Sequence, residues 1–414
     1  MAEQLSWAKK LWSRLYIRLL VGIALGILIG WTFPVFGVKL KILGDLFVKL
    51  IRMLLAPIIF GTVVVGIARM GDLKSFGRVG IKSLIYFEIV STLALVIGLV
   101  VVNVVRPGAG MNVNASALDT RQIASYAAAG QNFTVIEFLL GIVPTSAAGA
   151  FVEGNMLQVI FFSVLFGIAL SRLGQSKERL IEVLDDFVHV MFGAVGIVMR
   201  LAPLAALGTM AFVIGKFGLE TLESFARLIA SLYITCLIFI FGVLGAIAWW
   251  NGFSLWWFLK YIKEEIAVVF GTCSTEAVLP QMMTKLEAMG CDKAIVGMVL
   301  PAGYAFNADG TSIYLAMAAI FIAQATNTPL SLGEQLLVLA VLLLTSKGSA
   351  GVAGAGFIAL AATLSSMHKI PAGGLVLLLG AESFLNQARA VTNVIGNGVA
   401  TIVIARSEGA RIKS

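Results

Sequence analysis

Apolar runs long enough to cross a bilayer recur along this chain from near residue 15 to near residue 405, and no stretch between them is long enough for a water-soluble domain. A helix crossing the hydrocarbon core needs about 20 predominantly apolar residues. Six conventional runs lie near 15–36, 45–68, 83–105, 156–172, 186–215 and 225–250. Only 13% of the residues are charged and 59% are hydrophobic, where soluble domains carry about 25% charge. The reading is one all-α integral membrane domain over 1–414, with the first run an uncleaved span rather than a leader.

A net charge of +8 would suggest a nucleic-acid partner in a soluble protein, but here the basic residues sit in short loops between apolar runs. Basic clusters of that kind orient a membrane chain toward the cytoplasm. They occur at Lys9 to Arg18, Arg69 to Lys82, Arg172 to Arg179, Lys260 with Lys263, and Arg406 to Lys413. All five can be cytoplasmic together, which puts both termini inside and the segment 108–154, with Arg121 as its one basic residue, outside. Cys236, Cys273 and Cys291 show no metal spacing, and His189 and His368 are scattered. Neither a structural metal nor a cofactor is expected, and the Ser/His or metal-ligand set that an intramembrane enzyme would need is missing.

The second half departs from simple spans. Its apolar stretches are interrupted by Gly271-Thr-Cys-Ser-Thr-Glu276, Asn307-Ala-Asp-Gly-Thr311, Ser346 to Gly356 and Asn393-Val-Ile-Gly-Asn397. Unpaired backbone groups in hydrocarbon cost several kcal/mol each, so broken helices persist only where they line a protein-buried cavity. The inside–outside count then requires 257–292 to be a re-entrant hairpin from the cytoplasm and 332–368 a second from outside. With helices through Asn307 and Arg389 the expectation is eight transmembrane helices plus two opposed re-entrant hairpins, an inverted repeat holding substrate near the midplane. Residues 15–250 are then mostly scaffold, and 257–406 form the substrate-binding core.

Ionisable side chains at membrane depth are functional candidates by default. Here they are Glu88, Arg200, Glu276, Asp309, Lys347, Glu382 and Arg389. Arg389 is the first choice for substrate, since a guanidinium fork matches a carboxylate; the competing reading is an internal ion pair with Glu382 on the same helical face. Asn386 and Asn393 share that face. Ser274 and Thr275 at the first tip, and Gly351, Gly354 and Gly356 at the second, can offer hydroxyls and free N–H groups to a carboxylate. Asp309, between Asn307 and Gly310, is suited to a hard cation or a proton, or simply to capping a helix. Glu88, Glu276 and Glu382 are candidate proton carriers, or else pair with Arg200, Lys347 or Arg389; Lys347 itself snorkels or pairs.

These residues resemble the dicarboxylate/amino acid:cation symporter family, which has the glutamate transporter fold, and within it the bacterial aerobic C4-dicarboxylate carriers. The resemblance spans nearly the whole chain and is most specific at Tyr86–Thr92, Arg106–Asn112, Gly303–Tyr314, Phe321–Asn327, Gly351–Phe357 and Ala388–Thr401. It implies a homotrimer in the bacterial inner membrane, in contact with lipid. A transport unit with both hairpins and the last two helices would move past a fixed scaffold like an elevator. It further implies that Ser274, Thr275, Ser346, Gly351, Gly354, Gly356, Thr311, Arg389 and Asn393 bind substrate, and that Asn307, Asp309, Asn393 and Asn397 occupy cation positions.

Departures from the family narrow the expectation. Its amino acid carriers have Asp where Asn386 stands and Thr where Ala390 stands; an amide cannot pair an ammonium, so succinate, fumarate or malate is favoured over glutamate or aspartate. Sodium-coupled relatives have Asp where Asn397 stands and, near another sodium position, a hydroxyl residue where Val90 stands. Losing a carboxylate weakens a hard-cation site, so protons are favoured over sodium as the coupling ion, with a sodium at Asp309, Asn307 and Asn393 left open.

Overall fold

A computed structural model describes residues 15–70, 73–113, 140–153, 155–173, 177–348, 355–367, 369–379, 381–410 and 412. Every regular element among them is helical. Six helices are long and apolar enough to cross a membrane, and shorter apolar helices lie at 17–32, 157–171 and 332–343.

The first half comprises α1 (Leu15–Thr32), α2 (Pro34–Lys39), α3 (Lys41–Met70), α4 (Leu73–Val105), α5 (Ala147–Glu153), α6 (Met156–Ser171), α7 (Lys177–Val198), α8 (Ala202–Ser224), α9 (Ala226–Ile238) and α10 (Gly245–Trp250). The run near 15–36 is divided at Phe33, because Pro34 has no N–H to continue the helix and is well placed to start the next. The run near 186–215 is longer than composition suggested: α7 and α8 are joined through a 3-10 turn at Met199–Leu201. A π-helical stretch, Phe239–Leu244, joins α9 to α10. Large apolar side chains such as Val35, Met53, Val104, Trp249 and Trp250 point outward. That exposure is tolerable for a chain solvated by lipid and not for one in water.

The second half comprises α11 (Leu255–Tyr261), α12 (Lys263–Thr272), α13 (Leu279–Ala288), α14 (Lys293–Phe306), α15 (Asp309–Ala325), α16 (Leu332–Gly348), α17 (Ala355–Met367), α18 (Val376–Leu379) and α19 (Glu382–Ser407). Between α12 and α13 the chain reverses. Cys273 adopts left-handed backbone (φ 56°), and Glu276–Val278 form a 3-10 turn before Pro280 opens α13. Lys285 on the return arm donates to Glu265 at 2.7 Å and to the Tyr261 carbonyl at 2.8 Å, which fixes the arms side by side. Each arm has ten residues, about 15 Å of helix, or half a hydrocarbon core. Gly290, at φ 104°, then ends α13 in a Schellman arrangement, with the Cys291 N–H on the Leu286 carbonyl at 3.1 Å. The second expected hairpin has its arms in α16 and α17, packed together; its glycine-rich tip, residues 349–354, lies outside the described residues.

Among the described membrane-length helices, the stretch 293–325, which holds α14 and α15, and α19 are the most enclosed; α15 and α14 both pack on α19. Hairpin arm α12 also touches α19, and α17 touches α15, so both hairpins abut this central pair.

Candidate functional site

The break between α14 and α15 is built by sequence. Asn307 and Ala308 both leave helical geometry (ψ 59° and 65°), and Ala308 offers no cap for the helix that follows. The missing cap comes from another helix. Asn393 of α19 accepts from the Gly310 and Thr311 N–H groups at 2.8 and 3.3 Å and donates to the Thr311 hydroxyl at 3.1 Å. Orphan donors at a helix start require such an acceptor. Gly310 is essential to this approach, because a Cβ there would fall on the Arg389 carbonyl oxygen.

Arg389 is buried, at 8% exposure, where four elements meet. Its guanidinium carbon stands 4.5 Å from the ring centre of Tyr314 on α15. Its Nη2 donates to Asn386 Oδ1 at 2.7 Å, and Asn386 Nδ2 in turn donates to the Cys273 carbonyl at the first hairpin tip at 2.9 Å. Gly356 on α17 faces the guanidinium, since a Cβ there would sit 3.0 Å from Nη1. Nη1 forms an ion pair with Glu382 Oε1 at 3.0 Å, short of a well-aligned hydrogen bond. Tyr314 donates to the other Glu382 oxygen at 2.9 Å. A buried guanidinium held by a carboxylate is suited to exchange that partner for an incoming carboxylate.

A second polar knot lies beside the first. Asn307, Asp309 and Asn397 are fully enclosed, at 0%, 0% and 1% exposure. Asn307 Nδ2 donates to Asp309 Oδ2 and to Asn397 Oδ1, each at 3.1 Å. Asn307 Oδ1 and Asn397 Nδ2 have no hydrogen-bond partner. Gly396 makes room for the carboxylate, because a Cβ there would overlap Asp309 Oδ2. One carboxylate among amide oxygens is a hard donor set, chemically compatible with an alkali cation or with a proton. Among the described residues no three His, Cys, Asp or Glu cluster as metal ligands.

The residues singled out in the sequence divide accordingly. Arg389, Asn386, Glu382, Gly356, Thr311 and Asn393 come together, as do Asn307, Asp309 and Asn397. The anticipated Glu382–Arg389 pair is present, Nη1 to Oε1 at 3.0 Å. Ser274 and Thr275 sit half-buried at the first tip. Glu276 pairs with Arg52 of α3. The Ser346 backbone lies in the last turn of α16, while Gly351 and Gly354 fall outside the described residues. Glu88 is exposed on α4.

Sequence reasoning assigned no role to Tyr314, Tyr86 or Arg52. Tyr314 follows Thr311 by one turn on the same face, which was the available signal. Tyr86 Oη is buried without a hydrogen-bond partner and within electrostatic reach of Asp309; only its place in the Tyr86–Thr92 motif marked it.

A buried guanidinium held by one carboxylate, beside an enclosed carboxylate knot, in a fold with six helices apolar and long enough to cross a bilayer, suits a multi-pass membrane carrier of an anion. The chain belongs to the sodium:dicarboxylate symporter family, whose model matches residues 15–407. It is 55% identical over 403 residues to a C4-dicarboxylate transport protein of Laribacter hongkongensis, covering 97% of this chain and 91% of that one. A C4-dicarboxylate transport protein of Solibacter usitatus is 54% identical, with 97% and 94% covered, and one of Deinococcus radiodurans is 55% identical, with 97% and 90% covered.

Proposed function

We propose that this chain imports C4-dicarboxylates, such as succinate, fumarate or malate, by symport with protons. The observation that carries the reading is the Arg389 guanidinium, buried among α15, α19 and both hairpins, its Nη1 held at 3.0 Å by Glu382, a carboxylate that a substrate carboxylate can replace. One carboxylate of the substrate takes that donor, and the other reaches toward the hydroxyls of Ser274 and Thr275. Asn386 brings no negative charge, which favours a dianion without an ammonium group. The names of the relatives point the same way.

Glu382 supplies the proton coupling in this reading. A substrate carboxylate competes with Glu382 for Arg389, and a buried carboxylate that loses its cation is stabilised by binding a proton. Asp309 provides the second coupling position with Asn307 and Asn397. The hairpins enter from opposite faces, both termini are cytoplasmic, and the protein is a homotrimer of the bacterial inner membrane. The unit formed by 257–406 moves as an elevator against helices of 15–250.

Sodium coupling is the second reading, favoured by the Asp309 knot and by the family's sodium-coupled members. Labelled succinate uptake into proteoliposomes decides between them. Fumarate and malate should compete where glutamate and aspartate do not. Uptake should survive replacement of sodium by choline and collapse with a protonophore. A requirement for sodium with indifference to the protonophore replaces proton coupling by sodium coupling; competition by the amino acids overturns the substrate assignment.

A further inference from the structure

Glu276 directly follows Thr275 and begins the 3-10 turn that carries the first hairpin tip into α13. Its Oε2 accepts from Arg52 Nε of α3 at 2.6 Å, and the side chains are 14% and 45% exposed respectively. The turn also packs directly on α3. Hairpin arm α12 lies on the same group of early helices: a Cβ on Gly271 would sit 2.7 Å from Ala206 Cβ of α8 and 3.4 Å from Ile23 of α1. The tip is therefore docked on the helices assigned above to the scaffold, at backbone distance on one side and through an ion pair on the other.

Arg52 is exposed and Glu276 largely enclosed, so removing Arg52 leaves the enclosed carboxylate without its partner, whereas reversing both charges keeps the pair. Glu276 is the more enclosed partner, so loss of Arg52 drives Glu276 toward water and carries Ser274 and Thr275 with it.

We propose that Arg52 is a positioning residue for the substrate site: through Glu276 it clamps the first hairpin tip against the early helices, and the clamp must open before the tip can leave them. The division into moving and fixed units rests on the proposed function, but the clamp can be read without substrate. Cys273 lies at the tip itself, half-buried, whereas Cys236 and Cys291 are buried.

The test uses the full-length protein with Cys236 and Cys291 replaced by alanine. Maleimide labelling of Cys273 is compared in this background and in Arg52→Ala, Glu276→Gln and the charge-swapped Arg52→Glu/Glu276→Arg. Both single variants should label on the order of fivefold faster or more, the lower range of coupling between linked sites, and the swap should return toward the parent rate. Equilibrium binding of labelled succinate should weaken in the singles and recover in the swap. Equal labelling in parent and singles, or a swap no slower than the singles, overturns the clamp. Should the parent fail to bind succinate while labelling behaves as described, the substrate assignment falls and the clamp stands.

Discussion

Asn386 holds Arg389 and the first hairpin tip at once, its Oδ1 taking the guanidinium at 2.7 Å and its Nδ2 giving to the Cys273 carbonyl at 2.9 Å. The amide is matched to both tasks, since only a group with one acceptor and one donor can satisfy a cation on one side and a carbonyl on the other. A carboxylate would keep the first contact and oppose the second.

Asn386→Asp therefore tests selectivity. It should lower succinate uptake by on the order of tenfold, from one added buried negative charge facing a dianion, and raise the relative competition by aspartate. Competition curves against labelled succinate measure this; unchanged curves would remove Asn386 from the selectivity argument.

Gly396→Ala tests the second polar knot by steric intrusion alone. The added methyl would overlap Asp309 Oδ2, with the Asp309 Cγ 3.2 Å away, and a packed core yields little to such an insertion. Uptake should fall by on the order of tenfold or more while the protein stays folded. Normal uptake with normal cation dependence would mean that the knot takes no part in coupling.

Asn397→Asp probes the ion. The amide accepts from Asn307 at 3.1 Å inside an enclosed cluster, and a second carboxylate there raises affinity for a hard cation. Succinate uptake should become sodium-stimulated, measured by replacing sodium with choline. Indifference to sodium in this variant would contradict the coupling role given to Asn397.

Asn393→Ala should uncap α15, because its Oδ1 is the acceptor for the Gly310 and Thr311 N–H groups. Loss of a cap costs about 1 kcal/mol, visible as a lower melting temperature of the purified protein. No change in melting would show that the cross-helix cap adds nothing to stability.

Glu408 closes a clasp just beyond α19, bonded to Arg78 and to Lys82, each at 2.6 Å. The Arg78 hydrogen bonds foremost, then that of Lys82, hold its carboxyl down at about 2, below its ordinary 4.5. A depressed carboxylate stabilises the fold above its unfolded pKa and loses that contribution as pH falls toward its folded one. The stability difference between the parent and Glu408→Gln should thus be flat from about pH 5 to 8 and shrink below about 4.5. A difference that varies between pH 5 and 8 would refute this assignment. Any pH dependence of uptake in that range must then arise elsewhere.

Legibility of the fold followed the physics of the bilayer. Runs such as 45–68 and 83–105 had to be helices because hydrocarbon admits no unpaired backbone, and they lie within α3 and α4. The break at Asn307 and the reversal at Cys273-Ser-Thr275 were equally visible, because polar residues interrupted apolar runs. Contacts set by tertiary approach were not. Nothing local distinguishes Arg52 from any other basic residue on α3, and no periodicity reveals that Asn393 caps a helix 82 residues earlier. Arg389 and Glu382 were identifiable as partners from their spacing, but Tyr314 and Gly356, which enclose the guanidinium, come from other helices.

Equilibrium binding of labelled succinate to the purified protein, parent against Arg389→Ala and Arg389→Lys, tests the central claim most directly. Binding should be saturable in the parent, absent in the alanine variant, and weakened by on the order of tenfold or more for lysine, which keeps the charge but not the fork. Succinate bound as tightly by Arg389→Ala as by the parent would contradict it.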